Sequence, residues 1–264
     1  MRSAAEYIDH LQRVGRLCFT TDEAVAALGR FGRSLIAVQA QLRRLKAKGL
    51  IADPQRSFHV IVPPMYRELG CLPPEQFVPQ LMTHLGEPYY VGLLSAAAFH
   101  GAAHHVPMVF QVVVPRPRRA INCGRVKVEF VARQDMTATP VVIRNVNTGP
   151  LRIATPAATA MELVGYPERA GYLDNVATVL AELAEHIDAD ALAAEARRAP
   201  VAWVQRLGYL LALVDQPSLA TVVADVLETR PLYKVPLAPW APLKQAPRDP
   251  RWQVLVNTTV EPDA

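Results

Sequence analysis

The chain has 264 residues, half of them hydrophobic and a fifth charged, with 28 Lys and Arg against 24 Asp and Glu. This is the composition of a folded protein with room for one large core or two modest ones, and it excludes an intrinsically disordered chain. No uncharged apolar run reaches the roughly 18 residues of a membrane span, and the N-terminus has no apolar signal-peptide stretch, so a cytoplasmic location is expected.

The first helix is predicted over residues 3–15, capped by Ser3, with Tyr7, Ile8, Leu11 and Val14 at helical spacing. Thr20 or Thr21 caps a second, short helix with Ala24, Val25, Ala27 and Leu28 on its apolar side. A third runs from about Arg33 to Lys48 with a stripe of Leu35, Val38, Leu42 and Leu45, and Gly49 ends it. Leu50–Ala52, a turn at Asp53–Ser57 and Phe58–Val62 then read as strand, turn, strand: a small wing. The paired prolines 63–64 and 73–74 frame a linker.

Beyond it, helices are expected over about 75–85 and 92–100, followed by strands at 110–114, 126–131, 141–145 and 151–153. Helices then dominate, at about 156–165, 172–186, 188–198, 200–214 and 217–228, with Asp174 read as a cap. A last strand at 252–256 could return to the sheet. The fold class is α+β: an N-terminal winged helix-turn-helix (1–62), a linker (63–74) and a mixed α/β C-terminal domain with a small sheet and several helices (75–264).

Charge is distributed unevenly. Residues 1–62 hold ten Lys and Arg against five Asp and Glu, while the other 202 hold 18 against 19. A basic module on a near-neutral body points to a polyanion at one end. A winged helix lays its third helix in the DNA major groove and its wing on the backbone. The predicted third helix carries Arg33, Ser34, Gln39, Gln41, Arg43, Arg44, Lys46 and Lys48 outside its stripe and no acid. Arg33, Ser34 and Ala37 near its start, then Gln41 and Arg44, are the candidates for base edges, through Arg–guanine and Gln–adenine pairing. Arg43 and Lys48 add charge for phosphates, and Arg56 at the wing tip suits a phosphate or the minor groove.

Other patterns carry less. Cys18, Cys71 and Cys123 are odd in number and far apart, which fits reduced, mostly buried thiols rather than a disulfide framework or zinc ribbon. His100, His104 and His105 read as ordinary histidines at a helix end, since Gly101 and Pro107 interrupt the helix that would align two of them on a metal. Glu129 and Lys127 share a strand face near Asp135, as a metal nuclease would require, but no second acid is evidently placed and an exposed strand pair accounts for them. No phosphate-binding loop, dinucleotide fingerprint or serine elbow is present. No catalytic residue, metal or cofactor is expected, and no enzymatic activity.

Five blocks resemble the AbiEi-type antitoxins: 89–105 (YYVGLLSAAAFHGAAHH), 151–164 (LRIATPAATAMELV), 173–183 (LDNVATVLAEL), 204–210 (VQRLGYL) and 249–257 (DPRWQVLVN). The resemblance implies the antitoxin half of a toxin–antitoxin pair whose toxin is nucleotidyltransferase-like. It also implies an N-terminal module that binds inverted repeats in the pair's own promoter and represses it. The C-terminal domain would relieve toxicity, directly or functionally. The alternative is a ligand-responsive transcriptional regulator without a toxin partner.

Overall fold

In a computed structural model, residues 3–29, 34–102 and 107–262 are described. The fold is mixed α+β, and its contacts divide it into two compact units that interleave along the chain. The first comprises residues 1–90, 108–138 and 143–152, the second 91–107, 139–142 and 153–264.

The first unit opens with α1 (Ala4–Arg13), β1 (Cys18–Thr20), α2 (Thr21–Gly29) and α3 (Leu35–Ala47). Ser3 Oγ caps α1 by accepting from Glu6 N, and Ser34 Oγ caps α3 by accepting from Ala37 N, each satisfying a helix-end N–H. Thr20 and Glu23 form a reciprocal capping box at the start of α2. Tyr7, Ile8, Leu11, Leu28, Val38, Leu42 and Leu45 close a common core. Leu35, read into that stripe, lies at the helix start and is half exposed.

β2 (Ile51–Gln55) and β3 (Phe58–Ile61) form the expected hairpin, and β1 adds a third antiparallel strand in the order β1-β3-β2. Three residues are too few to show a period, so β1 left no sequence signal. The hairpin is bulged. Ala52 pairs with Val60 and Gln55 with Phe58, so Asp53 and Pro54 together oppose His59. Proline, with no N–H to offer a ladder, fits such a break.

Residues 63–74, read as a linker, contain a 3-10 turn at Pro64–Tyr66 and the fully buried Cys71 and Leu72. Then come α4 (Pro74–Leu85), β4 (Tyr90–Val91), α5 (Leu93–Phe99), β5 (Phe110–Val114), β6 (Ile121–Cys123) and β7 (Val126–Ala132). β5 runs parallel to β7, and β6 antiparallel to it. Gly124, at φ 58°, lets the β6–β7 turn meet the 69–70 backbone; a Cβ there would stand 2.3 Å from Leu69 O. β8 (Val141–Val146) and β9 (Gly149–Ala154) follow, and Val91 pairs in parallel with Ile153.

The second unit is mainly helical: α5, α6 (Pro156–Gly165), α7 (Tyr172–Leu183), α8 (Ala189–Arg198), α9 (Val201–Leu213) and α10 (Pro217–Glu228). Thr155 caps α6 and Asp188 caps α8. Asp174 does not cap α7, contrary to expectation. The helix starts two residues earlier because Gly171 takes the left-handed conformation, and Asp174 instead accepts from Glu261 N at 2.9 Å. The C-terminal strand is β11 (Val254–Leu255). It pairs in parallel with β10 (Val235–Pro236), a two-residue strand that the sequence did not announce.

Candidate nucleic-acid interface

Val38, Leu42 and Leu45 face inward, and at about 100° per residue the opposite side of α3 is centred on Ile36, Ala40 and Ala47, with Arg43 and Arg44 about equally to either side. Arg43, Arg44, Lys46 and Lys48 are all exposed, and Arg56 is exposed beside the positive-φ turn residue Ser57. The helix holds no acidic residue, and among the described residues the carboxylate that pairs with one of its cations is Asp53 of the hairpin, with Lys46.

The other residues singled out in the sequence stand differently. Arg33 lies outside the described residues. Ser34 is exposed but spends its hydroxyl on the Ala37 cap, and Ala37 is half-buried. Gln41 is turned toward α1, where its Oε1 accepts from Ala4 N at 2.7 Å and satisfies one of the first N–H groups of that helix. Sequence periodicity placed Gln41 on the charged face; the contact that claims it comes from 37 residues away.

Gln39 and Lys46 flank the same free surface on the side of the hairpin. They were legible as polar positions, but their partners follow from the β-bulge. Lys46 Nζ lies 2.7 Å from Asp53 Oδ2, His59 Nδ1 donates to Asp53 Oδ1 at 2.7 Å, and His59 Nε2 meets Thr21 Oγ1 at 2.9 Å. His59 is buried among these groups and stacks at a tilt on Phe19, with ring centroids 5.1 Å apart. Burial pushes the Asp53 carboxyl up, but the hydrogen bonds from His59 and Lys46 outweigh it and hold it below the ordinary carboxylate value. Thr21, Gln39, Leu42, Arg43, Lys46, Asp53 and His59 border a hollow of about 260 Å³.

Elsewhere in this unit the cysteines are free and buried. Burial pushes the Cys18 thiol up to about 12, far from a reactive thiolate. Asp135, considered as a metal ligand, is paired with Arg133 at 2.8 Å. Glu129 stands opposite Gln111 in the β5–β7 ladder. His104 and His105 lie outside the described residues, and His100 Nε2 donates to Ala154 O at 2.7 Å.

In the second unit the sequence blocks meet one another. Glu162 of α6, buried, accepts from the backbone N–H of Leu93, which sits at φ 52° at the start of α5. Asp249 Oδ1 accepts from both Arg251 N and Trp252 N at 2.9 Å, fixing the turn that delivers Trp252 onto Gly208 of α9. Gln205 donates to Tyr233 O and Trp252 O, and Asn257 clamps Ala238 and Ala241. These are structural contacts of a packed helical domain.

Residues 90–213 match the family model of the AbiEi antitoxin C-terminal domain, which takes in four of the five sequence blocks almost entirely. The chain is similar in fold to the crystallised RV2827C protein from Mycobacterium tuberculosis, at 16% identity over 95% of this chain and 90% of that one, with a TM-score of 0.67. An antigenic nucleotidyltransferase-like protein from Paracoccidioides brasiliensis overlaps at 12% identity over 56% of this chain and 89% of that one, but its TM-score of 0.35 is too low to carry an argument. No curated protein matches the chain. Residues 90–213, just under half of the chain, are thus similar to the AbiEi antitoxin C-terminal domain.

Proposed function

We propose that the protein is a cytoplasmic antitoxin and autorepressor with no chemistry of its own. Residues 1–62 act as a winged helix that binds inverted repeats in the promoter of its operon. The AbiEi domain neutralises a nucleotidyltransferase-like toxin encoded alongside it. The observation that carries this is the coexistence, in one chain, of the acid-free, exposed basic surface of α3 beside the Arg56 hairpin with an AbiEi antitoxin domain. Lys and Arg on such a surface would neutralise phosphates and make binding strongly salt-dependent.

The test has two arms. Purified protein is titrated against a duplex from its own upstream region at several salt concentrations, and the adjacent gene is expressed with and without it. Salt-dependent binding together with rescued growth is the expected outcome. Failure to bind at low salt would remove the repressor role; absence of rescue would remove the antitoxin role.

A second reading, a ligand-responsive regulator, is favoured by one feature. A cavity of about 670 Å³ in the first unit, bordered by Arg16, Phe58, Gln80, Tyr89 and Arg152 among others, falls in the size range of small-molecule sites. An upstream neighbour with no toxic effect on expression, and an operator affinity shifted by a metabolite extract, would favour it.

A further inference from the structure

Lys46 projects from the exposed side of α3, yet it is the one cation of that helix for which the described residues hold a carboxylate partner, Asp53. The pairing is built rather than incidental. Asp53 lies in the bulge of β2, where two residues oppose one, and the bulge directs its side chain at the hairpin's own His59. His59 gives Nδ1–H to one carboxylate oxygen while Lys46 takes the other, and Thr21 at the start of α2 engages Nε2. Three elements, α2, α3 and the hairpin, therefore converge to hold one carboxylate against one lysine. The lysine side chain is 55% exposed and the carboxylate 28%, so the buried anchor is on the acid's side and the cation is the part free to leave. Gln39 and Arg43 stand on the rim of the same hollow and offer further N–H donors.

We propose that this hollow receives a backbone phosphate of DNA, with Gln39, Arg43 and Lys46 as its donors, and that Asp53, seated by His59 and Thr21, is an internal competitor from which Lys46 is released on binding. This rests on the reading of residues 1–62 as a DNA-binding module and adds to it a specific phosphate position and a restraint on affinity. A phosphate and Asp53 are both anions. They cannot share Lys46 without repulsion, so each DNA contact there is made against the Asp53–Lys46 pair. The carboxylate thereby keeps binding weaker than the cation count alone would give, and long-range attraction to arbitrary sequence is reduced with it.

The test uses the full chain and two duplexes, one from its own upstream region and one of scrambled sequence, with affinity measured across a salt series. Lys46→Met, at an exposed position, is expected to bind about fivefold more weakly at physiological salt, with a log–log salt slope shallower by about 0.9, the signature of one lost phosphate contact. Asp53→Asn is expected to bind about three- to fivefold more tightly, the scale of an exposed ion pair no longer competing. The double variant is expected to match Lys46→Met, because the effect of Asp53 runs through Lys46. If Asp53→Asn is not folded at the assay temperature, Asp53→Ser replaces it, and Lys46→Met decides independently. Wild-type protein that binds neither duplex at low salt overturns the DNA-binding reading and the proposal together. Wild-type protein that binds, with Lys46→Met unchanged in affinity and slope, overturns the proposal alone. So does a folded Asp53 variant that binds no more tightly, or a double variant whose effects simply add.

Discussion

Trp252 covers Gly208: a Cβ built on the glycine would stand 2.1 Å from Cζ3 of the indole. Glycine inside a helix is unfavourable by about 1 kcal/mol against alanine, so in open space Gly208→Ala would stabilise α9. Here the added methyl has nowhere to go, and overpacking of about 1–3 kcal/mol should reverse the sign. The variant is expected to unfold at lower denaturant concentration than wild type. Trp252→Ala, which empties the same contact, should cost about 3–5 kcal/mol. A Gly208→Ala protein more stable than wild type would mean that the indole does not seat on α9. The contact also has a bearing on boundaries, since Trp252 and Val254 are buried yet lie beyond the matched segment 90–213.

That same contact marks how far the sequence could be read. Helix positions came from apolar spacing and caps, and those signals are local: Ser3 and Thr20 cap as read, Asp174 does not, and Ser34, Thr155 and Asp188 cap without having been singled out for it. What the spacing could not carry was partnership between distant residues. Asp249, Pro250 and Trp252 were visible as a block, but not that the turn would seat the indole on a glycine 44 positions earlier. The tail strand was legible, while its pairing with the two-residue β10 was not, because so short a strand has no period. Likewise the basic side of α3 was evident from composition. Its division into free, tethered and paired residues depended on Ala4, Asp53 and a bulge register that no local pattern encodes.

Gln41 illustrates the difference and gives a second prediction. Its Oε1 satisfies the N–H of Ala4, so its removal should act on stability before it acts on sequence recognition. Gln41→Ala is expected to lose about 0.5–2 kcal/mol, the range for a lost helix-start acceptor. Once folded, it should keep the wild-type ratio of operator to scrambled-duplex affinity. Denaturant unfolding and paired titrations check both halves. A variant of unchanged stability whose operator preference collapsed would return Gln41 to the base-reading role.

Asp53 supplies a pH dependence. Its carboxyl is held below the ordinary value once His59 and Lys46 outweigh the opposing effect of burial. A carboxyl depressed in the folded state binds fewer protons there than in the unfolded chain, so its contribution is complete above the unfolded value of about 4. That contribution fades as pH falls through the lower folded value. Asp53→Asn should therefore be less stable than wild type near neutrality, by about 0.2–1 kcal/mol for so exposed a pair. The gap should close in acid, below roughly pH 4. Thermal midpoints of the two proteins across pH 3–7 give the comparison, and a constant gap throughout would show that Asp53 acts through packing rather than charge.

The three arginines of the proposed interface should separate by position. Arg44 lies on the outward side of α3, on the flank away from the hairpin hollow, where a helix laid in the major groove presents side chains to base edges. Arg43 borders the hollow with Lys46 and Asp53, and Arg56 stands on the hairpin turn, both places suited to backbone phosphates. Arg43→Met and Arg56→Met are thus expected to weaken operator and scrambled duplex alike and to flatten the salt slope by about 0.9 each. Arg44→Met should fall harder on the operator, by about 1–3 kcal/mol if it pairs with a guanine edge, and relax the preference at one base pair. Salt series on both duplexes, with a set of single-base operator changes, distinguish the two behaviours. Uniform losses at all three positions would assign Arg44 to the backbone as well. Unchanged slopes at all three would place the DNA contact, if there is one, outside α3 and the hairpin.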